Sequence, residues 1–213
     1  MPSSPMIRII AMEREYGSGG AAIAQKLAAK LGWKLWDQAL TCEIARRAKS
    51  DVATVEKREE RVDPLFYRLM KVFFRGSFER SLPVNGMDAL DADGMAAMME
   101  RIVLDAAADG NCVLVGRGAS YFLRERDDVF RVFLYAPHEE KLRRLLAAGL
   151  SHDDANDRLD TIDRDRATFI KTYFSKDWPS RELYHQMLNT IVGDDAVIDQ
   201  ILHGIALREH QPA

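Results

Sequence analysis

Ile7-Arg8-Ile9-Ile10-Ala11-Met12-Glu13-Arg14-Glu15-Tyr16-Gly17-Ser18-Gly19-Gly20 is the stretch that decides how this chain is read. The apolar run over residues 7–12 predicts a strand. Residues 21–31 predict a helix, because Ile23, Leu27 and Leu31 recur at four-residue spacing and Gly32 is placed to end it. Between the two lie three glycines in four residues. Strand, glycine turn and helix in that order aim backbone N–H groups and the positive end of a helix at one point, the geometry of an anion seat. The usual phosphate-loop pattern, G-x-x-x-x-G-K-[ST], would put a lysine at position 20 and a hydroxyl residue one or two places later. Here those places hold Gly20, Ala21 and Ala22, and the first glycine of the pattern falls on Arg14. The backbone of the seat is present and its usual side chains are absent. A plain strand-to-helix connection is the alternative, since glycines serve backbone needs without any ligand.

Outward from that stretch the pattern continues as alternating strands and helices. Residues 34–36 predict a short strand ending at Asp37, and 38–48 a second helix. Residues 51–61 are charged and helical, and 65–74 form a crowded apolar run that suits either a buried helix or a contact between copies of the chain. Residues 75–93 carry loop residues, and 94–109 a helix rich in alanine and methionine. Residues 111–115 and 129–135 are continuous apolar strands, closed by Gly116-Arg117-Gly118 and by Ala136-Pro137. Uninterrupted apolar strands separated by helices indicate a parallel sheet covered on both faces. An amphipathic helix over 138–148, a charged segment to Arg166, an aromatic one to Tyr184, a strand at 187–190 and a closing helix over 195–208 complete the chain.

With 213 residues and 24.1 kDa, one domain with an inserted subdomain suffices. The net charge of -3 and pI near 6.0 give no basic footprint for nucleic acid. No apolar run approaches the ~20 residues of a membrane span, and residues 1–5 do not form a signal peptide. Cys42 and Cys112 lack metal-ligand spacing and suit free thiols of a reducing compartment. The expected setting is therefore cytoplasmic, without membrane or nucleic acid partners.

Four pieces in this order carry a resemblance: Arg14-Glu15-Tyr16-Gly17-Ser18-Gly19-Gly20; Leu35-Trp36-Asp37; Val115-Gly116-Arg117-Gly118-Ala119 with Val132 to Pro137; and the Arg/Asp-rich helix leading to Leu188-Asn189-Thr190. Over roughly residues 6 to 205 the chain resembles the cytidylate kinase-like family, a branch of the P-loop nucleoside monophosphate kinases. The resemblance implies an α/β, three-layer P-loop NTPase-type fold with a five-stranded parallel sheet. It also implies a helical monophosphate-binding insertion (about 51–93) and an arginine-rich lid (about 151–184), the core being 6–50, 94–150 and 185–209. The implied partners are ATP with Mg²⁺ and a small phosphate acceptor of the CMP type. A homodimer through the 65–74 run is a further expectation.

On that resemblance Tyr16, Gly17, Ser18, Gly19, Gly20, Ala21 and Ala22 form the nucleotide loop. Arg14 is the nearest substitute for the missing lysine, and Arg158, Arg164 and Arg166 are candidate lid arginines. On an ideal helix Arg158 and Arg166 project ~80° apart; the alternative is a solvated helix with Asp154–Arg158 and Asp160–Arg164 pairs. Arg117, between two glycines, is expected on a phosphate or simply solvated. Asp37 is expected at the acceptor site or as a helix N-cap. Ser18, Glu15, Asp37 or water alone are open as magnesium ligands. Tyr173, Phe174, Trp178 and Tyr184 are expected to pack.

Several positions depart from the family's habits. Many members carry Arg and Glu where this chain has Ala21 and Ala22. Gly118 replaces the aspartate that reads cytosine in cytidylate kinases, and Glu43 stands where they have an arginine. Cytosine selectivity is therefore not carried over. A kinase of a non-nucleotide acceptor and a catalytically silent nucleotide-binding protein remain competing readings.

Overall fold

The structure is a computed structural model, and it describes residues 6–37 and 92–210. The expected second helix (38–48), the charged segment, the apolar 65–74 run, Cys42 and Glu43 lie outside the described residues.

Strand β1 (Ile9–Arg14) is buried along its whole length at the centre of the sheet. It runs two residues further than the apolar string suggests, because its register on the neighbouring strand continues to Arg14 opposite Leu134. Helix α1 (Gly20–Leu31) ends at Gly32, whose positive φ of +66° lets its N–H reach the Ala28 and Ala29 carbonyls. There follow β2 (Lys34–Trp36), α2 (Ala92–Ala107), β3 (Cys112–Val115) and a single turn α3 (Ala119–Phe122). The chain continues with β4 (Val129–Tyr135), α4 (His138–Ala147), α5 (His152–Phe174), β5 (Gln186–Asn189), a 3-10 turn (Thr190–Val192) and α6 (Asp194–Glu209).

All five strands are parallel, in the order β2-β3-β1-β4-β5. The apolar runs of β1, β3 and β4 follow from that position, since a central parallel strand meets helices on both faces. On one face Ile10, Met12, Val113 and Val132 pack with Ile23 and Leu27 of α1 and with Ile198 of α6. On the other, Ile9, Ala11 and Leu114 pack with Val103 of α2, Tyr121 of α3 and Phe169 and Ile170 of α5. Ile23 and Leu27 are wholly buried, which stabilises α1 on the sheet by about 1.5–3 kcal/mol per side chain. The α/β, three-layer, five-stranded parallel fold expected from the sequence is present.

The charged and aromatic segments after residue 151 form one helix of 23 residues. Ser151 caps it by accepting the Asp154 N–H at 3.1 Å. Its first half buries Ala155 and Leu159 against Leu145 of α4 and the Tyr16 ring, and its second half enters the core through Phe169 and Ile170. Ion pairing also differs from the spacing-based expectation. Asp154 bonds to Ser151 (2.8 Å), and Asp163 pairs with Arg166 within the helix at 2.9 Å. The aromatics pack, as expected: Phe174 lies against Tyr121, Phe122 and Phe169, and Phe133 against Trp178 and Tyr184. Cys112 is a buried free thiol. No described helix is long and apolar enough to cross a membrane.

Candidate functional site

The strand pleat sends alternate β1 side chains to opposite faces, and this separates the last two residues of β1. Arg14 falls on the α1 face, where its aliphatic stem lies over Gly20. A Cβ at Gly20 would sit 2.8 Å from the Arg14 Cδ and 3.0 Å from its Cβ. The place of the usual lysine is thus filled from the side by Arg14. Its guanidinium runs on past Gly116 to Asp37, with Nη2 donating to Oδ1 at 3.4 Å. Glu13 falls on the opposite face, beneath α3 and α5.

The loop itself has two supports. Arg144 of α4 donates to the Ser18 carbonyl and to the hydroxyl (2.9 Å) and carbonyl (3.1 Å) of Thr190, while the Thr190 hydroxyl donates to the same Ser18 carbonyl at 2.7 Å. On the other side Asp163 of α5 accepts the Tyr16 N–H at 2.9 Å, and Lys141 holds Glu15 at 2.9 Å. The Ser18 hydroxyl donates back to the Glu15 carbonyl at 2.8 Å. Gly17 (φ +74°) and Gly19 (φ +79°) adopt the left-handed backbone that this tight turn requires. The N–H groups of Gly17, Gly19, Gly20 and Ala21 are engaged by no acceptor among the described residues. That is a fit for the phosphates of a nucleotide at a helix N-terminus.

Beside the loop, at the C-terminal edge of β1 and β3, lies a crevice. Arg14, Arg117 and Arg166 line it, with Glu13 at its floor and Phe169 and Trp178 as apolar wall. Arg117 is 5% exposed and Arg14 8%. Arg166 donates to the Arg14 carbonyl at 2.7 Å, which ties α5 to the end of β1. Burial, then the neighbouring Arg14, lower the Arg117 pKa to about 9, against the opposing pull of Asp37. Burial likewise lowers that of Arg166 and raises that of Asp163, each partly offset by the other. Three guanidiniums in one desolvated crevice disfavour one another, and an anion there relieves them.

Of the residues singled out from the sequence, Arg14, Asp37, Arg117 and Arg166 come together, and the loop from Tyr16 to Ala22 lies beside them. Arg158 and Arg164 do not join them. Arg158 is half-buried about 12 Å along the α5 axis from Arg166, and Arg164 is exposed. Sequence reasoning missed Glu13, Lys141, Arg144, Asp163 and Thr190. Only Glu13 had a usable signal, as a charge carried by an otherwise apolar central strand. The others act through tertiary contact and leave no pattern.

The described residues do not by themselves build a magnesium site. Among the described residues no three His, Cys, Asp or Glu side chains cluster around a point. Ser18 is wholly buried and turned into the loop, Glu15 is taken by Lys141 and Asp37 by Arg14.

Comparison with known proteins agrees with this fold. The profile of the cytidylate kinase-like family matches residues 9–191. Among curated protein sequences none matches. An uncharacterized protein from Eubacterium ventriosum ATCC 27560 superposes with a TM-score of 0.66 at 22% identity, over 95% of this chain and 99% of that one. Shikimate kinase from Acinetobacter baumannii, in complex with shikimate, gives 0.50 at 16% identity over 96% of each chain. A gluconokinase from Sinorhizobium meliloti 1021 gives 0.52 at 12% identity, over 95% of this chain and 94% of that one. At such identities these likenesses speak for the fold alone. The chain belongs to the cytidylate kinase-like family.

Proposed function

We propose that the protein transfers the γ-phosphoryl group of ATP to a small anionic acceptor, the class that includes a nucleoside monophosphate of the CMP type. The observation that carries this reading is the juxtaposition of two elements suited to anions: the open N–H groups of the Gly17–Gly20 turn and the crevice cluster of Arg14, Arg117 and Arg166. The turn cradles the donor phosphates. The cluster holds the acceptor's anionic group and offsets charge that develops on the transferring phosphoryl. Arg14, laid over Gly20, supplies the cation that a lysine at position 20 would otherwise bring. Catalysis of this kind is positioning and electrostatics, which suits a site without a nucleophile. Mg²⁺, which accompanies ATP in kinase-like families, would offset charge on the donor phosphates. Gly118, in place of a base-reading aspartate, leaves a small hydroxy acid open as the acceptor beside a nucleotide.

Calorimetric titration of ATP and ADP, with and without Mg²⁺, followed by a turnover assay on nucleoside monophosphates and small hydroxy acids, tests the reading. ATP binding with turnover on one class is expected. ATP binding with no turnover on any acceptor favours a silent nucleotide-binding protein, and absence of binding overturns the proposal.

A further inference from the structure

Among the charged residues described in the crevice, Glu13 is left without a task by the phosphoryl-transfer reading. It is 5% exposed, it occupies a strand whose other residues on that face are Ile9 and Ala11, and its Oε1 has no hydrogen-bond partner. A carboxylate buried for structural reasons beneath three guanidiniums would be expected to pair with one. Instead Arg14 turns to Asp37 (3.4 Å) and Arg166 to Asp163 (2.9 Å), while Glu13 makes no ion pair among the described residues. Glu13 lines the same crevice as the arginines.

The chemistry of the acceptor gives such a group a purpose. A phosphate oxygen is already anionic and needs no base to attack phosphorus. A hydroxyl must lose its proton, and a positioned carboxylate contributes about 10²–10⁴-fold to that step. We propose, resting on the phosphoryl-transfer reading above, that Glu13 is the proton acceptor for a substrate carrying both a hydroxyl and an anionic group, the latter a carboxylate or a phosphate. Arg117 and Arg166 hold the anionic group, which orients the hydroxyl toward Glu13. The hydroxyl oxygen forms a bond to the γ-phosphorus of a nucleoside triphosphate. The bond from that phosphorus to the bridging oxygen breaks, its electron pair leaving on the nucleoside diphosphate. The hydroxyl proton goes to Glu13 Oε1. The product is a phosphate monoester.

Every element packed around Glu13 contributes to its protonation. Burial raises its pKa to about 7, while Arg166 of α5, its neighbour Arg14, Arg117 of the β3 turn and the Ser120 N–H of α3 lower it. Tyr121 of α3 and Tyr184 ahead of β5 complete the surround, both with burial-raised pKa values that keep them neutral. A base that titrates near neutrality is well matched to hydroxyl activation.

The test offers the full-length protein ATP with three probe groups: hydroxycarboxylates (glycerate, gluconate, tartrate), sugar phosphates, and the 5′-monophosphates of cytidine, uridine and adenosine. Phosphorus NMR distinguishes a monoester product from an anhydride, and the first two groups distinguish a carboxylate anchor from a phosphate anchor. A monoester product is expected, with kcat/KM rising through about pH 7. Glu13→Gln should lower kcat by about 10²–10⁴-fold and abolish that rise, with the Kd for ATP unchanged and Tm equal or higher. An anhydride formed on a monophosphate as the sole product overturns the assignment. So does a Glu13→Gln variant that keeps wild-type kcat, or one that loses activity and Tm together. Failure of wild-type protein to bind ATP instead overturns the phosphoryl-transfer reading itself.

Discussion

Two glycine turns end adjacent strands of the sheet, yet they present different groups at its C-terminal edge. The turn after β1, Gly17-Ser18-Gly19-Gly20, leads into a helix of 12 residues and offers backbone N–H groups with no charged side chain of its own. The turn after β3 leads into a single helical turn and offers a guanidinium, on Arg117. All three of its residues have positive φ: Gly116 +69°, Arg117 +61° and Gly118 +70°. Glycine adopts that backbone freely, whereas for arginine it costs about 1–2 kcal/mol. The first turn exposes main chain, while the second holds an arginine in a strained backbone; on the proposed function the first meets its ligand through N–H groups and the second through its side chain.

If that contrast is right, Arg117→Gly has the largest effect and an unusual one. Turnover should fall by about 10²–10³-fold, the scale of removing one charge-stabilising donor. Stability should rise, since the strain and the buried cation both go. Steady-state kinetics with thermal melting check this; a lower Tm would make Arg117 a structural residue and erase the difference between the turns.

The first turn can be probed through its own constraint. Gly20→Ala should cost about 1–3 kcal/mol by forcing a Cβ onto the Arg14 stem. In an Arg14→Ala background the same change should cost much less, a non-additivity that urea melts of the four proteins would show. An unchanged cost would mean that the glycine serves the backbone alone. Full turnover by Arg14→Ala would remove arginine as the replacement for lysine.

Beneath the second turn, Glu13 predicts a pH dependence of stability. Its folded pKa of about 7 lies above its ordinary 4.5, with burial as the cause, so the folded state holds the proton more tightly. Its stabilising contribution is complete below about pH 4.5 and is lost as pH rises through 7. Tm should fall between pH 5 and 8, and Glu13→Gln should flatten that fall; equal slopes for the two proteins would exclude it. The smallest effect is expected at Asp163, whose carboxylate occupies the Tyr16 N–H at the edge of the donor seat. Asp163→Asn removes a negative charge from beside the phosphates and should tighten ATP binding by about 1 kcal/mol, roughly fivefold in Kd. Weaker binding on titration would show that Asp163 supports the loop more than it repels the ligand.

Most of the fold was legible from local pattern. The 129–135 strand has the bounds that its apolar run suggests, and the three-layer arrangement follows from strands too apolar to face water. The segment from 151 to 184 was harder, because charge alternation followed by aromatics conceals a helix that docks on α4 at one end and enters the core at the other. The site was half legible. Glycines and a lone arginine between them are local signals that single out the loop and Arg117, whereas Arg14 and Asp37 are singled out with the help of the family resemblance. Arg144, Lys141 and Thr190 sit in ordinary helical or turn contexts and gain meaning only from what they touch.

The sequence by itself thus determined the parallel sheet, the anion-binding backbone and the absence of a loop lysine, since those depend on hydrophobic period and on where glycine permits a tight turn. Only the tertiary structure decided which charges share a crevice. Neighbours on a strand face opposite ways and residues eight apart on a helix lie about 12 Å from each other. Hence Arg166 but not Arg158 meets Arg117, and Glu13, in the sequence only a charge at the end of an apolar strand, becomes a buried carboxylate in the same crevice.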